Sequence, residues 1–528
     1  MEGRFHNRFR SRDTVRLVLA PALVFMVASL DRGYQTDFWQ HLARGRLIAR
    51  EHALVSADRF TFTVPGRPFF DNNWLTQLGY YGAFSAGGLE AVQFLNAALL
   101  AATFALLMRL CRRASGTTTL AAAAGVGAFL GLWQTFLIRP QTVSMLLFVG
   151  LYGLLEAART RPRLLLWAPP LMALWANVHG GFAVGLALIF SFVLGATWER
   201  WKTSLALPPG GEGKCEGEDR AQPFPLLACL VVSAAATLAN PYGWNVYRYA
   251  GKLSSVGVAR GIEEWLPPSL GSLNGAAFAA SLALLAWLLS ASKRRPTPRE
   301  VCLLACFALP ACFSTRMTVW WFLAAAPVLA RLAAGGLRFG RRAETSAAPA
   351  RNSPASAPSI LATISLAMIL CAVILSLPWL ERYHPAMGTL RTARRTEADL
   401  QVLADQLPNG KAPARVFTRM EWANYLAWSA SDRSSVFVEG RVELYPDDTW
   451  QRYLTVTEAR PGWEGVLDGY GVDYLLLDET YHRALVERVG HSPRWSRQMR
   501  AGPAVLFARR NAAAPDAPPA PNLAGLDF

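Results

Sequence analysis

The stretch YQTDFWQHLARGRLI, residues 34–48, follows the first long apolar segment and determines how the rest of the chain is interpreted. A helix through it would align Asp37, His41 and Arg44 on one face, because residues three and four apart are neighbours on a helix. A carboxylate and an imidazole on one face can share a proton or a divalent metal. Alternatively, Asp37 only stabilises the positive end of the helix dipole while His41 lies at the membrane interface. The residues alone leave both interpretations open.

Apolar composition identifies the class of protein. Of the 528 residues, 52% are apolar and the mean hydropathy is +0.20, whereas soluble domains contain roughly 45–50% apolar residues. The excess lies in stretches of about 17–22 residues, each long enough to cross a bilayer. We predict a multi-pass α-helical membrane protein with about eleven spans, near 14–30, 90–109, 118–137, 142–158, 164–178, 181–198, 224–240, 272–291, 301–314, 318–335 and 358–379.

The basic residues predict the orientation of these spans. The formal charge is +16, but the charges collect at alternate gaps between spans, as the positive-inside rule requires, and not in a nucleic-acid-binding stripe. We therefore predict a protein of the bacterial inner membrane with a retained first helix, a cytoplasmic N-terminus, an extracytoplasmic C-terminal domain and no nucleic-acid partner. The gaps predicted inside carry Arg112 and Arg113; Arg159, Arg161 and Arg163; Arg200 and Lys202; Lys293, Arg294 and Arg295; Arg338, Arg341 and Arg342.

The chain divides into regions of different composition. We predict a transmembrane domain at 1–379 with a long first outer loop at 31–89, a cytoplasmic linker at 343–357, an α/β domain at 380–511 and a disordered tail at 512–528. In the α/β domain, ARVFT, SSVFVEG and VDYLLLD are typical of buried strands, with helices near 421–430, 446–458 and 480–489. It contains neither GxGxxG nor a P-loop. The seven cysteines lack zinc-ligand spacing and predict no disulfides.

The first outer loop holds several candidate site residues, since a loop of this length is often functional. Asp31 lies nearer the first span than Asp37 and competes with it. In DNNW, Asp71 precedes a predicted helix, so it is either the N-cap or a second polar group of a site that includes Asn73 and Trp74.

Further candidates lie at the predicted outer ends of later spans. Arginine at an outer end opposes the positive-inside bias, and its planar guanidinium group can donate two hydrogen bonds to one phosphate. Snorkelling to lipid headgroups is the alternative explanation. The candidates are Arg139 in LIRPQ, Asn177 and His179 in LWANVHGGF, Tyr242 and Arg248 in NPYGWNVYRY, Glu263 and Glu264 in EEWLPP, and Arg316 in STRMTVWW.

Together these motifs resemble the GT-C membrane glycosyltransferases, and more closely a bacterial branch of that superfamily with D-x-W-W-H-L-x-x-G after the first span. The resemblance covers nearly the whole chain. It implies transfer of a sugar from a polyprenyl-phosphate carrier to a glycan, lipid or protein acceptor beside the membrane lipids. It also implies that Asp37 is the catalytic base or, with His41, holds a divalent cation such as Mg²⁺ or Mn²⁺.

The chain departs from the branch at two motifs. Gln40 replaces the second tryptophan, and an H-E-W-L motif later in the loop is NNWL here, with Asn72 and Asn73 in place of two titratable residues. The loss of these two titratable residues makes Asp37, His41 and Glu263 or Glu264 the stronger candidates for acid–base chemistry. Two alternatives remain: a transporter or flippase of lipid-linked glycans, which would need ionisable residues deep inside spans, and a non-enzymatic envelope assembly or sensor protein.

Overall fold

The computed structural model describes residues 11–30, 37–206, 223–336, 360–383 and 391–510. Its contacts divide the chain into two units. The helical unit comprises residues 1–33 and 82–384, and the α/β unit comprises residues 34–81 and 385–528. The predicted linker at 343–357 and the predicted tail at 512–528 lie outside the described residues.

Helices account for most of the described chain. They are α1 (Ser11–Leu30), α2 (Phe38–Glu51), α3 (Trp74–Ser115), α4 (Thr118–Leu132), α5 (Gln141–Ala158), α6 (Ala168–Val178), α7 (Phe182–Ala206), α8 (Pro223–Ala236), α9 (Asn245–Ala259), α10 (Leu273–Ala291), α11 (Pro298–Phe313), α12 (Thr318–Gly336), α13 (Ile360–Leu375), α14 (Arg391–Ala404), α15 (Met420–Ser429), α16 (Asp447–Thr457), α17 (Trp463–Gly469) and α18 (Arg483–His491). The long α3 is interrupted at Gly87 and Gly88, where Gly88 adopts φ +69°, a conformation that favours glycine.

Small residues and internal polar bonds pack the helical unit, as expected for helices in a membrane. A Cβ on Gly131 of α4 would lie 2.3 Å from the Phe322 ring of α12, so only glycine allows this approach. The Asn274 side chain donates to the Gly131 carbonyl over 3.0 Å and accepts from the Thr318 hydroxyl over 3.0 Å. These contacts bind α4, α10 and α12 together.

The described residues include six helices that are long and apolar enough to cross a membrane: Asp13–Leu30, Trp74–Ser115, Gln141–Ala158, Phe182–Ser204, Leu273–Ala291 and Thr315–Gly336. The predicted count of eleven is therefore not confirmed. The remaining apolar segments form shorter helices. For example, α6 has 11 residues, which at 1.5 Å per residue extend only about 17 Å.

The α/β unit contains a five-stranded mixed sheet of order β2-β1-β3-β5-β4. The first three strands in sequence are parallel, with Val416 opposite both Val436 and Tyr474, and the last two are antiparallel. The three predicted strands are thus present, although the second ends at Val436. The strands are β1 (Ala414–Thr418), β2 (Ser434–Val436), β3 (Tyr474–Asp478), β4 (Trp495–Ala501) and β5 (Ala504–Arg509).

The first outer loop packs into this same unit. Val436 of β2 donates its N–H to the Phe60 carbonyl over 2.9 Å and accepts the Phe62 N–H over 3.2 Å, so residues 60–62 extend the sheet edge. Val55 and Phe69 of the loop share an apolar core with the strands. The sequence-based domain boundaries assigned this loop to the transmembrane domain and stay a prediction, whereas the contacts group residues 34–81 with the α/β unit.

Candidate functional site

Asp37 stands immediately before α2. It occupies the N-cap position, but its carboxylate makes no capping hydrogen bond to the helix. Instead, its Oδ1 accepts a hydrogen bond from Gln40 Nε2 over 3.3 Å. Gln40 is the residue at which the sequence departs from the family pattern. The residue Asp37 is only partly buried.

His41 belongs to a buried network on the same helix. Its Nδ1 lies 3.2 Å from both Arg44 Nη2 and Gln77 Nε2. Asp71 Oδ1 accepts from Arg44 Nη1 over 3.2 Å and from Gln77 Nε2 over 2.7 Å. Because guanidinium and amide nitrogens can only donate, Nδ1 of His41 must accept, and the ring is neutral with its proton on Nε2. Asp71 and Arg44 therefore form a buried ion pair.

This network does not fit a metal site at His41. Two donors, one of them cationic, point at the Nδ1 atom, which lowers the affinity of that nitrogen for a cation. Within the described ranges, no group of three His, Cys, Asp or Glu side chains is placed to hold a metal ion. In this arrangement His41 joins α2 to the Asp71 segment through Arg44 and Gln77, and its catalytic role stays a prediction.

A second buried cluster, which the sequence reading missed, lies in the loop after β2. Arg441 Nη2 pairs with Asp58 Oδ1, and Arg441 Nε donates to Glu439 Oε1 over 2.6 Å. The guanidinium also lies 4.3 Å from the ring centre of Phe69. Burial raises the pKa of Glu439, and the nearby Asp58 carboxylate adds to this while Arg441 offsets it in part. Arg441 thus fastens the first outer loop to the sheet.

Gly440 brings this loop against Asp37. Its N–H donates to Asn424 Oδ1 over 2.9 Å. A Cβ at Gly440 would lie 2.7 Å from Gln40 Nε2 and 3.1 Å from Asp37 Oδ1. Such a contact is too close for the present side-chain positions. Glycine at this position therefore allows the Asp37–Gln40 pair to keep its geometry.

For the sugar transfer that the sequence resemblance implies, with Asp37 as its base, we expect Gly440→Ala to lower the rate by about 10–100-fold without unfolding the protein, because small displacements of a catalytic group are costly. The Cβ would push Gln40 and Asp37 away from their positions. The measurement is the turnover rate of the purified variant. Gly465→Ala, which places its Cβ in open space in the same unit, is the matched control, and equal rates for the two variants would contradict the expectation.

In the helical unit, Glu264 joins two of the predicted arginines. Arg139 Nη1 donates to Glu264 Oε1, and Arg316 Nη1 lies 3.6 Å from Glu264 Oε2. Arg316 also lies 5.2 Å from the ring centre of Trp265. Burial alone would raise the pKa of Glu264, but Arg139 and Arg316 together hold it below its ordinary value. Two cations share one carboxylate, so the cluster keeps a net positive charge.

His179 is buried beside this cluster. Its Nδ1 accepts the Gly181 N–H over 3.1 Å and lies 2.9 Å from the Ser144 hydroxyl, which itself accepts from Trp175 Nε1 over 2.7 Å. Burial and, secondarily, the charge of Arg316 lower the pKa of His179 to about 3. His179 is therefore neutral near pH 7.

The structure also locates the remaining candidate site residues that the sequence predicted. Asn177 donates to the Ala173 and Ala239 carbonyls over 2.9 and 2.8 Å, which joins α6 to the end of α8. Trp74 packs against the core of the α/β unit. The structure also places Asn73 before α3, Tyr242 before α9, Arg248 on α9 with an exposed side chain, and Glu263 exposed beside Glu264, while Asp31 lies outside the described residues.

A bundle of apolar helices and a small α/β unit packed with the first outer loop define the fold of the described residues, and this arrangement agrees with the one that the sequence resemblance implied. Two solved structures share this fold. The oligosaccharyltransferase AglB from Archaeoglobus fulgidus, in complex with an inhibitory peptide and a dolichol-phosphate, matches with a TM-score of 0.55 over 95% of this chain and 74% of its own, at 14% identity.

The second structure is ArnT from Cupriavidus metallidurans bound to undecaprenyl phosphate. It matches with a TM-score of 0.50 over 95% of this chain and 99% of its own, again at 14% identity. No protein-family model and no curated protein sequence matches the chain. At this level of identity the likeness establishes the fold.

Proposed function

We propose that this protein is a glycosyltransferase that moves a sugar from a polyprenyl-phosphate carrier to a glycan, lipid or protein acceptor at the outer face of the bacterial inner membrane. The observation that carries the proposal is the sharing of Glu264 by Arg139 and Arg316. The fold likeness to AglB and ArnT, whose structures contain dolichol-phosphate and undecaprenyl phosphate, supports the choice of donor.

The arginine pair suits the phosphate of the carrier. Arg139 precedes α5 and Arg316 precedes α12, so both lie at span ends that we predict to face outward. Their side chains keep 18% and 28% of their exposure, so both remain partly accessible to a ligand. Charge-assisted bonds from two guanidinium groups would stabilise the negative charge that grows on the phosphate as the sugar departs.

Asp37 is the proposed general base. The acceptor hydroxyl oxygen forms a bond to the anomeric carbon of the sugar while the bond from that carbon to the phosphate oxygen breaks. The hydroxyl proton passes to Asp37, and polyprenyl phosphate leaves with the electron pair. The N–H of Gln40 orients the carboxylate. A base of this kind typically contributes 10²–10⁴-fold to the rate.

The arginine pair gives a direct binding test. We expect Arg139→Gln and Arg316→Gln each to weaken polyprenyl phosphate binding by about 10–100-fold, because a hydrogen bond to a charged group contributes roughly 1.5–3 kcal/mol. Glu264→Gln should not weaken binding, since it removes a competing carboxylate. The measurement is the dissociation constant of purified protein for polyprenyl phosphate in detergent.

Lys252→Gln, an exposed cation on α9, serves as the control for the loss of one positive charge. Binding by the double variant Arg139→Gln/Arg316→Gln that matches this control would contradict the assignment of the phosphate site.

A further inference from the structure

A large cavity lies at the opposite end of the same helices. It has a volume of about 700 Å³ and is enclosed by the ends of α3, α5 and α12 and the beginning of α11. Arg139 precedes α5 and Arg159 follows it; the 18 residues of this helix separate the two by roughly 27 Å. The cavity is therefore distinct from the Arg139–Glu264–Arg316 cluster.

The cavity gathers arginines from several basic gaps of the sequence. Arg113 follows the apolar part of α3, Arg159 and Arg161 follow α5, Arg299 lies in the first turn of α11, and Arg331 lies near the end of α12. The positive-inside pattern places all of these gaps on the cytoplasmic side. The sequence pattern predicted each basic gap separately. The fold shows that arginine side chains from these gaps line the same cavity.

Carboxylates compensate only part of this charge. Glu300 pairs with Arg331 through both of its oxygens, and its Oε2 also accepts the Thr297 N–H over 2.8 Å, so Arg331 is held against the start of α11. Arg299 Nε donates to Glu199 over 2.8 Å.

Arg159 lies 3.4 Å from Glu156. Over the described part of the chain, Arg113 and Arg161 have no acidic partner within ion-pair distance. The cavity thus keeps two uncompensated positive charges, which favour an anion.

Apolar side chains complete the wall. Ala114, Ala157 and Leu164 line the cavity and are only partly buried, so they present apolar surface to it. A small inorganic anion would leave this apolar surface unused, whereas a ligand with an apolar part would cover it. The combination indicates an anionic headgroup that is attached to an apolar body.

We propose that the cavity is a second phosphate-binding site, at the predicted cytoplasmic end of the bundle, which takes a phosphate group attached to an apolar body. Arg113 and Arg161 supply the charge that meets the phosphate, and the pairs Arg331–Glu300 and Arg299–Glu199 fix the shape of the site. The proposal does not depend on the proposed transferase function, because it rests on other residues.

The test is binding of defined probes to the full-length protein in detergent. The probes are phosphatidic acid, inorganic phosphate and, as a zwitterionic reference, phosphatidylcholine. We expect tight binding of phosphatidic acid and at least ten-fold weaker binding after Arg113→Gln/Arg161→Gln. The two single variants replace exposed side chains and are measured as well, so that the result does not depend on the double variant alone.

Arg200→Gln/Lys202→Gln is the matched control, since it removes two exposed charges that the sequence places on the same side but outside the cavity lining. Loss in the cavity variants alone supports the site. Inorganic phosphate that binds as tightly as phosphatidic acid would overturn the requirement for an apolar body, and at least ten-fold weaker binding of inorganic phosphate would support it. Equal losses in cavity and control variants, or no loss in either, would overturn the proposal.

Discussion

Replacing Asp37 with asparagine is expected to abolish the glycan product in cells that make it, while the amount of protein in the membrane stays unchanged. Asparagine keeps the size of the side chain and the oxygen that accepts from Gln40, but it cannot take a proton from an acceptor hydroxyl. The expected fall in turnover is about 10²–10⁴-fold. The measurement combines the product level with the protein level for variant and wild type.

Asp432→Asn is the matched control, because it makes the same chemical change at an exposed carboxylate of the same unit. It should leave the product unchanged. Wild-type product from the Asp37→Asn variant would remove Asp37 from the reaction, and a lower protein level would assign it a role in folding.

The second large effect concerns stability. Arg441→Met should destabilise the α/β unit by about 3–5 kcal/mol, because removing one partner of a buried ion pair leaves the other charges uncompensated. Arg441 is 4% exposed and pairs with two buried carboxyl groups, Asp58 and Glu439. The measurement is thermal unfolding of the purified protein, with protease sensitivity of the first outer loop as a second readout.

Arg452→Met is the control for this experiment. Arg452 lies 3.8 Å from Asp448 in an exposed pair, and exposed pairs contribute roughly 0–1 kcal/mol. The double variant Arg441→Met/Asp58→Asn should cost less than the sum of its single variants, since the two residues are in contact. Equal transition temperatures for Arg441→Met and Arg452→Met would show that the buried cluster does not stabilise the unit.

Sequence patterning predicted the local elements better than the contacts between them. The predicted helix begins at Phe38, directly after Asp37 at the N-cap position, and its residues His41, Arg44 and Ile48 are buried. The ion pair of Arg44 with Asp71 joins residues 27 positions apart, and helix spacing contains no information about it.

The largest omission is the loop after β2. Asp58 and Arg441 are 383 positions apart, so no local signal could pair them. A clue was present, because polar residues at the carboxyl ends of parallel strands commonly lie near functional sites, and Glu439, Gly440 and Arg441 follow such a strand.

The two antiparallel strands at the end of the sheet were also missed. Strand β4 lies at the sheet edge and exposes most of its residues, and its register shifts between Arg497 and Met499. Both features remove the alternation of apolar and polar residues that predicts a strand. Strand β5 is largely buried, but its short apolar run alone does not distinguish a strand from a helix.

Incubation of the purified protein in detergent with a labelled polyprenyl-phosphate-linked sugar and an acceptor tests the proposed function most directly. The proposal predicts labelled acceptor together with an equal amount of released polyprenyl phosphate, and neither product from the Asp37→Asn variant. Translocation of an intact lipid-linked glycan across reconstituted vesicles, with no sugar transfer from any donor offered, would contradict it and identify a transporter.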